Sequence, residues 1–161
     1  QPSHTVLLSN LANRVQPIIR HDLGDSVVER PDPCPCGNPL PAIRVQGRAA
    51  DVLTFPGRRG EPVAIPPLVL GNVLDRIPGI DLGQVVQTTP TSLRVRLRLS
   101  ANANPEQIWR TVSEDFASLL AGRDLNHVTV ERAVEPPEQT PGGKVREVVP
   151  LDAESDTQCA G

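Results

Sequence analysis

The stretch that decides how this chain is organised is Val45-Gln46-Gly47-Arg48-Ala49-Ala50-Asp51-Val52-Leu53, where a Gly-Arg pair and an acid separate two apolar, strand-like segments. The residues before it are rich in proline and include two of the three cysteines. The residues after it alternate strand-like and helix-like patterns, as a small complete domain does. The stretch therefore predicts a hinge or a boundary between two structural units.

Length and charge limit the number of domains and the kinds of partner. With 161 residues the chain has room for one ordinary domain and a fragment of another, because domains usually contain about 100–200 residues. A net charge of -3 does not favour binding to nucleic acid, which requires a basic surface. No apolar run approaches the roughly 20 residues that cross a bilayer. The N-terminus has no signal-peptide pattern, so the sequence predicts a cytoplasmic protein with neither nucleic acid nor a membrane as partner.

The first 46 residues contain short apolar runs that predict β-strands. The runs cover residues 5–11, 15–19 and 27–29 and are separated by turn-like polar residues. Because an isolated hairpin is marginally stable in water, such strands need a parent sheet. We therefore expect residues 1–46 to be the end of a larger N-terminal domain, and the chain to be a piece of a longer protein.

Two carboxylates flank a glycine in the turn after the second of these runs. Asp22 and Asp25 lie three residues apart, beside Gly24. Asp and Gly are common in solvated turns, because the Asp side chain bonds to nearby backbone and Gly accepts unusual dihedral angles. The same carboxylates could accept hydrogen bonds from the hydroxyl groups of a ligand. Both interpretations are open on the local sequence.

Cys34 and Cys36 lie in a Cys-Pro-Cys-Gly segment that suits one half of a zinc site, because paired thiolates on a tight turn fit tetrahedral zinc. The ligands for the second half are missing from this sequence. The remaining cysteine lies in the polar C-terminal tail, and the three histidines have no ligand spacing. We therefore predict a structural loop and no metal site here, although upstream residues of a longer protein could complete a zinc site.

From Asp51 onward the pattern predicts alternating strands and helices, with proline at helix starts and glycine at helix ends. The predicted elements are a strand at 51–55, a helix from Pro66-Pro67 to Ile77, a hairpin of strands at 84–88 and 93–99, a helix from Pro105 to about Ala121 and a strand at 128–134. The order βαββαβ predicts an α+β fold with a ferredoxin-like domain at 47–150. The polar residues 151–161 predict a disordered tail.

An arginine row marks the second strand of the predicted hairpin. Arg94, Arg96 and Arg98 alternate with apolar residues, which predicts a strand with one buried face and one arginine-lined face. Such a face is commonly solvated, but it could also attract a phosphorylated ligand or a protein partner. This second possibility defines one functional hypothesis, a non-catalytic ferredoxin-like binding module.

Lys144 is the only lysine among the 16 basic residues of the chain. It follows the proline- and glycine-rich loop at 136–143 and precedes a short apolar strand. A lysine in a surface loop is ordinary. However, an ammonium group on a flexible stem differs from a guanidinium in its reach and its compact charge. This favours a functional role for the single lysine.

Four short motifs occur in an order and at intervals that are fairly specific together. They are Pro17-Ile18-Ile19-Arg20-His21-Asp22-Leu23-Gly24-Asp25, Cys34-Pro35-Cys36-Gly37, Gly47-Arg48-Ala49-Ala50-Asp51-Val52-Leu53 and Gly142-Gly143-Lys144-Val145-Arg146. In this order they resemble the C-terminal part of adenylate-forming enzymes. The resemblance covers about residues 5–150 and is strongest to the phenylacetate-CoA ligase-like branch, with its relatives that adenylylate a deazaflavin coenzyme.

The resemblance implies a large N-terminal adenylation domain, a hinge, and a small α/β lid that rotates between two half-reactions. ATP with Mg²⁺ and a carboxylic acid would give an acyl-adenylate, and CoA would then take the acyl group. By motif, Asp25 matches the acid that accepts hydrogen bonds from the ribose of ATP, and Arg48 matches the hinge arginine that approaches the same nucleotide. Ala50 and Asp51 match the hinge acids, and Lys144 matches the catalytic lysine of the lid.

The chain departs from the family pattern in two important ways. The family hinge usually reads GRxDD, and here Ala50 stands where the first acid is expected, leaving Asp51 alone. The Ser/Thr/Gly-rich loop that holds the ATP phosphates does not occur in this sequence. We therefore expect the chain alone to be inactive. Acyl specificity in the family comes from the large domain, so aryl, fatty and amino acids, and CoA, a carrier protein or a coenzyme as acceptor, all remain candidates.

Overall fold

The chain forms two compact units, Gln1–Asp51 and Val52–Gly161. A computed structural model describes residues 3, 5–12, 15–139 and 143–151. Of the predicted disordered tail at 151–161, only Leu151 lies within the described residues. In the part of the chain that the structure describes, no helix has the length and apolar character that crossing a bilayer requires.

The first unit consists of two antiparallel hairpins that form separate two-stranded sheets. Its strands are β1 at Leu7–Asn10, β2 at Ile18–Asp22, β3 at Asp25–Arg30 and β4 at Ala42–Arg48, with β1 paired to β2 and β3 to β4. A short 3₁₀ helix at Ala49–Asp51 ends the unit. The three apolar runs that predict strands overlap β1, β2 and β3.

The described residues of the first unit form no apolar core of their own. Among its described residues Ser26 is the buried one, and no hydrophobic side chain is buried. Large apolar side chains lie exposed instead, including Leu11 at 79%, Val15 at 97% and Leu40 at 71%. Two-stranded hairpins become stable by packing an apolar face against something else. The apolar surface of this unit is of the kind that another part of a protein covers.

The second unit is an α+β domain built on a four-stranded sheet of order β10-β7-β8-β9. Antiparallel β7 and β8 form its centre, while β10 runs parallel to β7 and β9 runs parallel to β8. A separate antiparallel hairpin of β5 and β6 precedes the first helix. The elements are β5 at Leu53–Pro56, β6 at Pro62–Ile65, α1 at Pro67–Asp75, β7 at Ile80–Thr89, β8 at Ser92–Leu99, α2 at Pro105–Ala121, β9 at Thr129–Arg132 and β10 at Val148–Val149.

The α+β class is confirmed, but the ferredoxin-like order βαββαβ is not. The predicted first strand, now β5, pairs with β6 in its own hairpin and does not enter the four-stranded sheet. A tight turn makes this possible, with the amide of Gly57 bonded to the carbonyl of Glu61 at 2.7 Å and Gly60 at a φ of +87°. The short strand β10, just before the C-terminal tail, takes the remaining position of the sheet.

The core of the second unit lies between the sheet and the two helices. Helix α2 contributes a stripe of buried residues at the four-residue spacing of a helix face, which are Ile108, Val112, Phe116 and Leu120. Its start is fixed by Asn104, whose side chain accepts hydrogen bonds from the amides of Glu106 and Gln107 at 3.1 and 3.2 Å. Helix α1 buries Leu70 and Leu74 against the same core.

Candidate functional site

Asp25 and Arg48 lie directly opposite each other in the first unit. Asp25 begins β3 and Arg48 ends β4, and the antiparallel register pairs the two residues. Arg48 Nη1 lies 3.5 Å from Asp25 Oδ1, and the same nitrogen donates to the backbone carbonyl of Leu23 at 2.5 Å. The Asp25 side chain is 30% exposed and that of Arg48 is 64% exposed. The hairpin thus brings together two residues that are far apart in sequence.

Asp22 has a local structural partner that Asp25 lacks. Its Oδ1 accepts a hydrogen bond from the amide of Gly24 at 2.9 Å, which closes the turn between β2 and β3. Gly24 has a φ of +65°, in the left-handed region that favours glycine. The carbonyl of Gly24 accepts from the amide of Ala49 at 2.9 Å, so the turn is bound to the segment after β4. Of the two predicted carboxylates, Asp22 acts in the turn and Asp25 faces the guanidinium.

The predicted hinge residues are the last residues of the first unit. Gly47 has a φ of +107°, which only glycine adopts without strain. Ala50 and Asp51 lie in the 3₁₀ helix that follows Arg48, and the division into compact units comes directly after Asp51. Rotation about this segment, and the influence of an alanine at position 50 on it, stay predictions.

Lys144 lies in the second unit, exposed, shortly before the edge strand β10. Gln139 and Val145 form an antiparallel bridge on either side of it, and residues 140–142 between them lie outside the described part of the chain. Just beyond, the carbonyl of Glu147 accepts from the amide of Val85 at 2.8 Å. The lysine is therefore presented by a short segment attached to the central strand β7.

A buried glutamine that the sequence analysis missed supports this segment. Gln84 in β7 is 1% exposed. Its Nε2 donates to the carbonyl of Arg146 at 2.8 Å and lies 3.5 Å from that of Glu138, while its Oε1 accepts from the amide of Glu138 at 3.1 Å. The local pattern gives no signal for this role, because the partners lie more than fifty positions away along the chain.

Two arginines of the predicted arginine face form ion pairs with nearby glutamates. Arg96, with a side chain 14% exposed, contacts Glu138 at 2.9 Å and Glu135 at 3.3 Å, and Arg94 contacts Glu135 at 3.7 Å and Glu131 at 3.8 Å. A backbone hydrogen bond at Glu135, and then the nearby arginines, hold the pKa of Glu135 below its ordinary value. Arg94 and Arg96 are thus paired within the protein, which disfavours the hypothesis of a phosphate-binding arginine face.

Cys34 and Cys36 form a close thiol pair in the loop between β3 and β4. Their sulfur atoms lie 2.7 Å apart, and the amide of Gly37 donates to the carbonyl of Cys34 at 2.9 Å. The hydrogen bond from Cys34, followed by one from the backbone of Asn38, lowers the pKa of the Cys36 thiol. Among the residues that the structure describes, no group of three or more His, Cys, Asp or Glu side chains is arranged to hold a metal ion.

The fold of the chain occurs in acyl-CoA ligases. It aligns with 2-hydroxyisobutyryl-CoA ligase in the postadenylation state with 2-HIB-AMP at a TM-score of 0.57 and 22% identity, covering 96% of this chain and 32% of that one. An open conformation of the ligase with 2-HIB-AMP and CoA aligns at 0.52 and 23% identity, over 94% of this chain and 32% of that one. Acetoacetyl-CoA synthetase from Streptomyces lividans aligns at 0.47 and 18% identity, over 79% and 17% of the two chains, which is too weak to support an argument.

The chain spans about a third of the length of the first two of these structures. Neither a family model nor a curated protein sequence matches it. At this level of identity the structural likeness shows the fold alone. The fold therefore occurs in a part of a CoA ligase, which is the class of enzyme that the sequence motifs resemble.

Proposed function

We propose that the chain is the C-terminal part of an ATP-dependent acid-CoA ligase of the phenylacetate-CoA ligase-like branch. The observation that carries the proposal is the pairing of Asp25 with Arg48 at the end of the β3–β4 hairpin, directly before the predicted hinge. Two features support it: the exposed apolar side chains of the first unit, which a larger domain could cover, and the likeness to part of 2-hydroxyisobutyryl-CoA ligase.

In the proposed reaction, a carboxylate oxygen of the acid attacks the α-phosphorus of ATP. The bond between that phosphorus and the bridging oxygen breaks, and pyrophosphate leaves. The thiol of CoA then attacks the acyl carbonyl carbon, loses its proton and displaces AMP. Both steps develop negative charge on oxygen atoms, so they benefit from cationic groups and hydrogen-bond donors held ready in the protein.

The residue types fit the roles that the resemblance assigns. The Asp25 carboxylate can accept hydrogen bonds from two ribose hydroxyls, since an ionised carboxylate is a pure acceptor. The Arg48 guanidinium, 3.5 Å away, orients that carboxylate and has further donors for the nucleotide. The ammonium group of Lys144 would neutralise the charge that develops between the attacking carboxylate and the α-phosphate.

Magnesium would accompany ATP in this reaction, bound by phosphate oxygens and one or two carboxylates. Asp25 and Asp22 are engaged by Arg48 and Gly24 respectively. Because the described residues hold no cluster of three or more possible ligands, the proposal assigns the metal to no residue of this chain.

The proposal is tested in the complete protein by ATP–pyrophosphate exchange, with matched carboxylate variants. Asp25→Asn should raise the KM for ATP about tenfold or more, because it removes a charged acceptor. Asp22→Asn should change it by less than about twofold, because an asparagine oxygen still accepts from Gly24. Equal effects of the two variants would contradict the role of Asp25.

Lys144→Ala in the same protein should lower kcat of the exchange by about 10²- to 10³-fold, because it removes a cation that stabilises the transition state. The KM for ATP should change little, since ribose recognition is assigned to Asp25. ATP–pyrophosphate exchange at the wild-type rate in this variant would contradict the catalytic role of Lys144.

A further inference from the structure

Every hydrogen-bonding position of the buried Gln84 amide is used. Nε2 donates to the carbonyl of Arg146 at 2.8 Å and reaches that of Glu138 at 3.5 Å. Oε1 accepts from the amide of Glu138 and from Arg96 Nη1, both at 3.1 Å. A side-chain amide has two donors and two acceptor positions. A buried amide is costly unless it is bonded, so these partners and Gln84 hold each other in place.

The backbone partners of Gln84 lie on the two sides of Lys144. Glu138 precedes the lysine and Arg146 follows it, and the Gln139–Val145 bridge lies just inside them. One side chain thus ties together both ends of the segment that presents the lysine. The contacts are made to backbone atoms, so they fix the path of the chain whatever side chains the segment carries.

Arg96 bonds to the Gln84 amide and also to Glu138, one of the partners of that amide. It lies opposite Gln84 in the β7–β8 register and is largely buried, with 14% of its side chain exposed. Besides its bond to Gln84 Oε1, its Nη1 lies 2.9 Å from the carboxylate of Glu138. The guanidinium therefore fixes the orientation of the amide and binds the same residue that the amide binds.

We propose that Gln84 is a positioning residue for Lys144: it closes the base of the lysine-bearing segment and thereby sets where the ammonium group stands. The inference rests on the proposed function for the catalytic use of Lys144. The closure of the segment stands on the contacts alone. A displacement of about 1 Å of a catalytic group can lower a rate about a hundredfold.

A second buried glutamine on the same strand provides a matched control. Gln87 is 5% exposed, and its Nε2 donates to the carbonyl of Thr54 in β5 at 2.9 Å. It joins β7 to the β5–β6 hairpin rather than to the lysine-bearing segment. Gln84→Met and Gln87→Met therefore remove the same buried amide from the same strand, but only Gln84→Met removes bonds to the lysine-bearing segment.

The first readout is native-state trypsin cleavage after Lys144 and Arg146 in the 161-residue chain, followed by mass spectrometry. Gln84→Met should speed cleavage at these two bonds about tenfold, and Gln87→Met should leave it near the wild-type rate. If Gln84→Met does not fold, Gln84→Glu is measured in its place. A carboxylate can still accept from Glu138 and Arg96, but it cannot donate to the carbonyl of Arg146. Unchanged cleavage, or equal acceleration by the Gln87 variant, would overturn the proposal.

The second readout is exchange kinetics in the complete protein. Gln84→Met should lower kcat about 10- to 100-fold and leave the KM for ATP unchanged, while Gln87→Met should retain wild-type kcat. If Lys144→Ala itself retains wild-type exchange, the catalytic role of Lys144 fails and the kinetic role of Gln84 fails with it, whereas a complete protein without any exchange would contradict the proposed function. If Lys144→Ala loses exchange and Gln84→Met keeps it, the positioning role of Gln84 fails and the proposed function stands.

Discussion

The two units of this chain use their β-strands for opposite purposes. In the second unit, strands and helices enclose a core in which Phe55, Val95 and Phe116 are fully buried. In the first unit, two hairpins display apolar side chains outward, and Ser26 is the buried residue among those described. The difference shows that paired strands do not form an independently stable domain unless they also enclose a buried apolar core. The second unit contains what it needs to fold, while the first requires a surface to pack on.

Separating the two units is the strongest test of this comparison. Residues 52–151 alone should unfold cooperatively in urea and show dispersed amide resonances, because every buried hydrophobic side chain that the structure describes lies there. Residues 1–51 alone should show the narrow amide dispersion of an unfolded chain, since two hairpins without a core are marginal in water. A cooperative transition in residues 1–51 would contradict the comparison.

Matched leucine truncations in the 161-residue chain should give the next largest difference. Leu120→Ala, at a site 2% exposed in α2, should lower the free energy of unfolding by about 2–5 kcal/mol. Leu11→Ala, at a site 79% exposed, should change it by less than about 0.5 kcal/mol. Urea denaturation followed by the fluorescence of Trp109, which packs against the core, measures both.

If the proposed N-terminal domain covers this surface, Leu11→Ala should become destabilising in the complete protein. A cost that stays near zero in the complete protein would mean that Leu11 remains exposed there. A cost of several kcal/mol already in the 161-residue chain would show that the first unit has a core after all.

The smallest expected effect concerns thiol chemistry in the first unit. Because the pKa of Cys36 is lowered by Cys34, the Cys36 thiolate forms at a lower pH than that of an ordinary cysteine. Alkylation of Cys36 by iodoacetamide should therefore reach its half-maximal rate at a lower pH than alkylation of a model thiol. In Cys34→Ala the half-maximal rate should move to higher pH. Cys34 and Cys36 lie on one peptide, so tandem mass spectrometry of that peptide locates the alkylated sulfur by its fragment ions. Identical profiles for wild type and Cys34→Ala would contradict the hydrogen bond.

Local signals predicted the helices best. The cap at Asn104, the proline at 105 and Gly122 predict α2 with the ends that it has in the structure, because these signals act within a single turn. The hairpin of β7 and β8 was likewise expected, although β7 begins earlier, at Ile80. The strand β6 is not among the predicted elements, since Pro62 and Pro66 at either end of it are typical of irregular structure.

Pairings between segments that are far apart in the sequence could not be predicted from local patterns. The place of β10 beside β7 depends on the side-chain amide of Gln84, which donates to the carbonyl of Arg146, and on the backbone amide of Val85, which donates to the carbonyl of Glu147. No local pattern encodes these contacts. The pairing of Asp25 with Arg48 follows from the β3–β4 register, and sequence motifs predicted the two residues but not their contact. The four-stranded sheet therefore differs from the ferredoxin-like prediction, because β5 does not enter it and the two-residue strand β10 does.

The parallel pairing of β10 with β7 also bears on the order of folding. Gln84 and Arg146 are 62 residues apart, whereas β7 and β8 are joined by a tight turn. Closing a long loop costs more chain entropy than closing a short one, so contacts between distant residues tend to form late. Partial opening of native proteins also occurs at the less stable elements. The segment that carries Lys144 should therefore join the sheet last and exchange its amide hydrogens first.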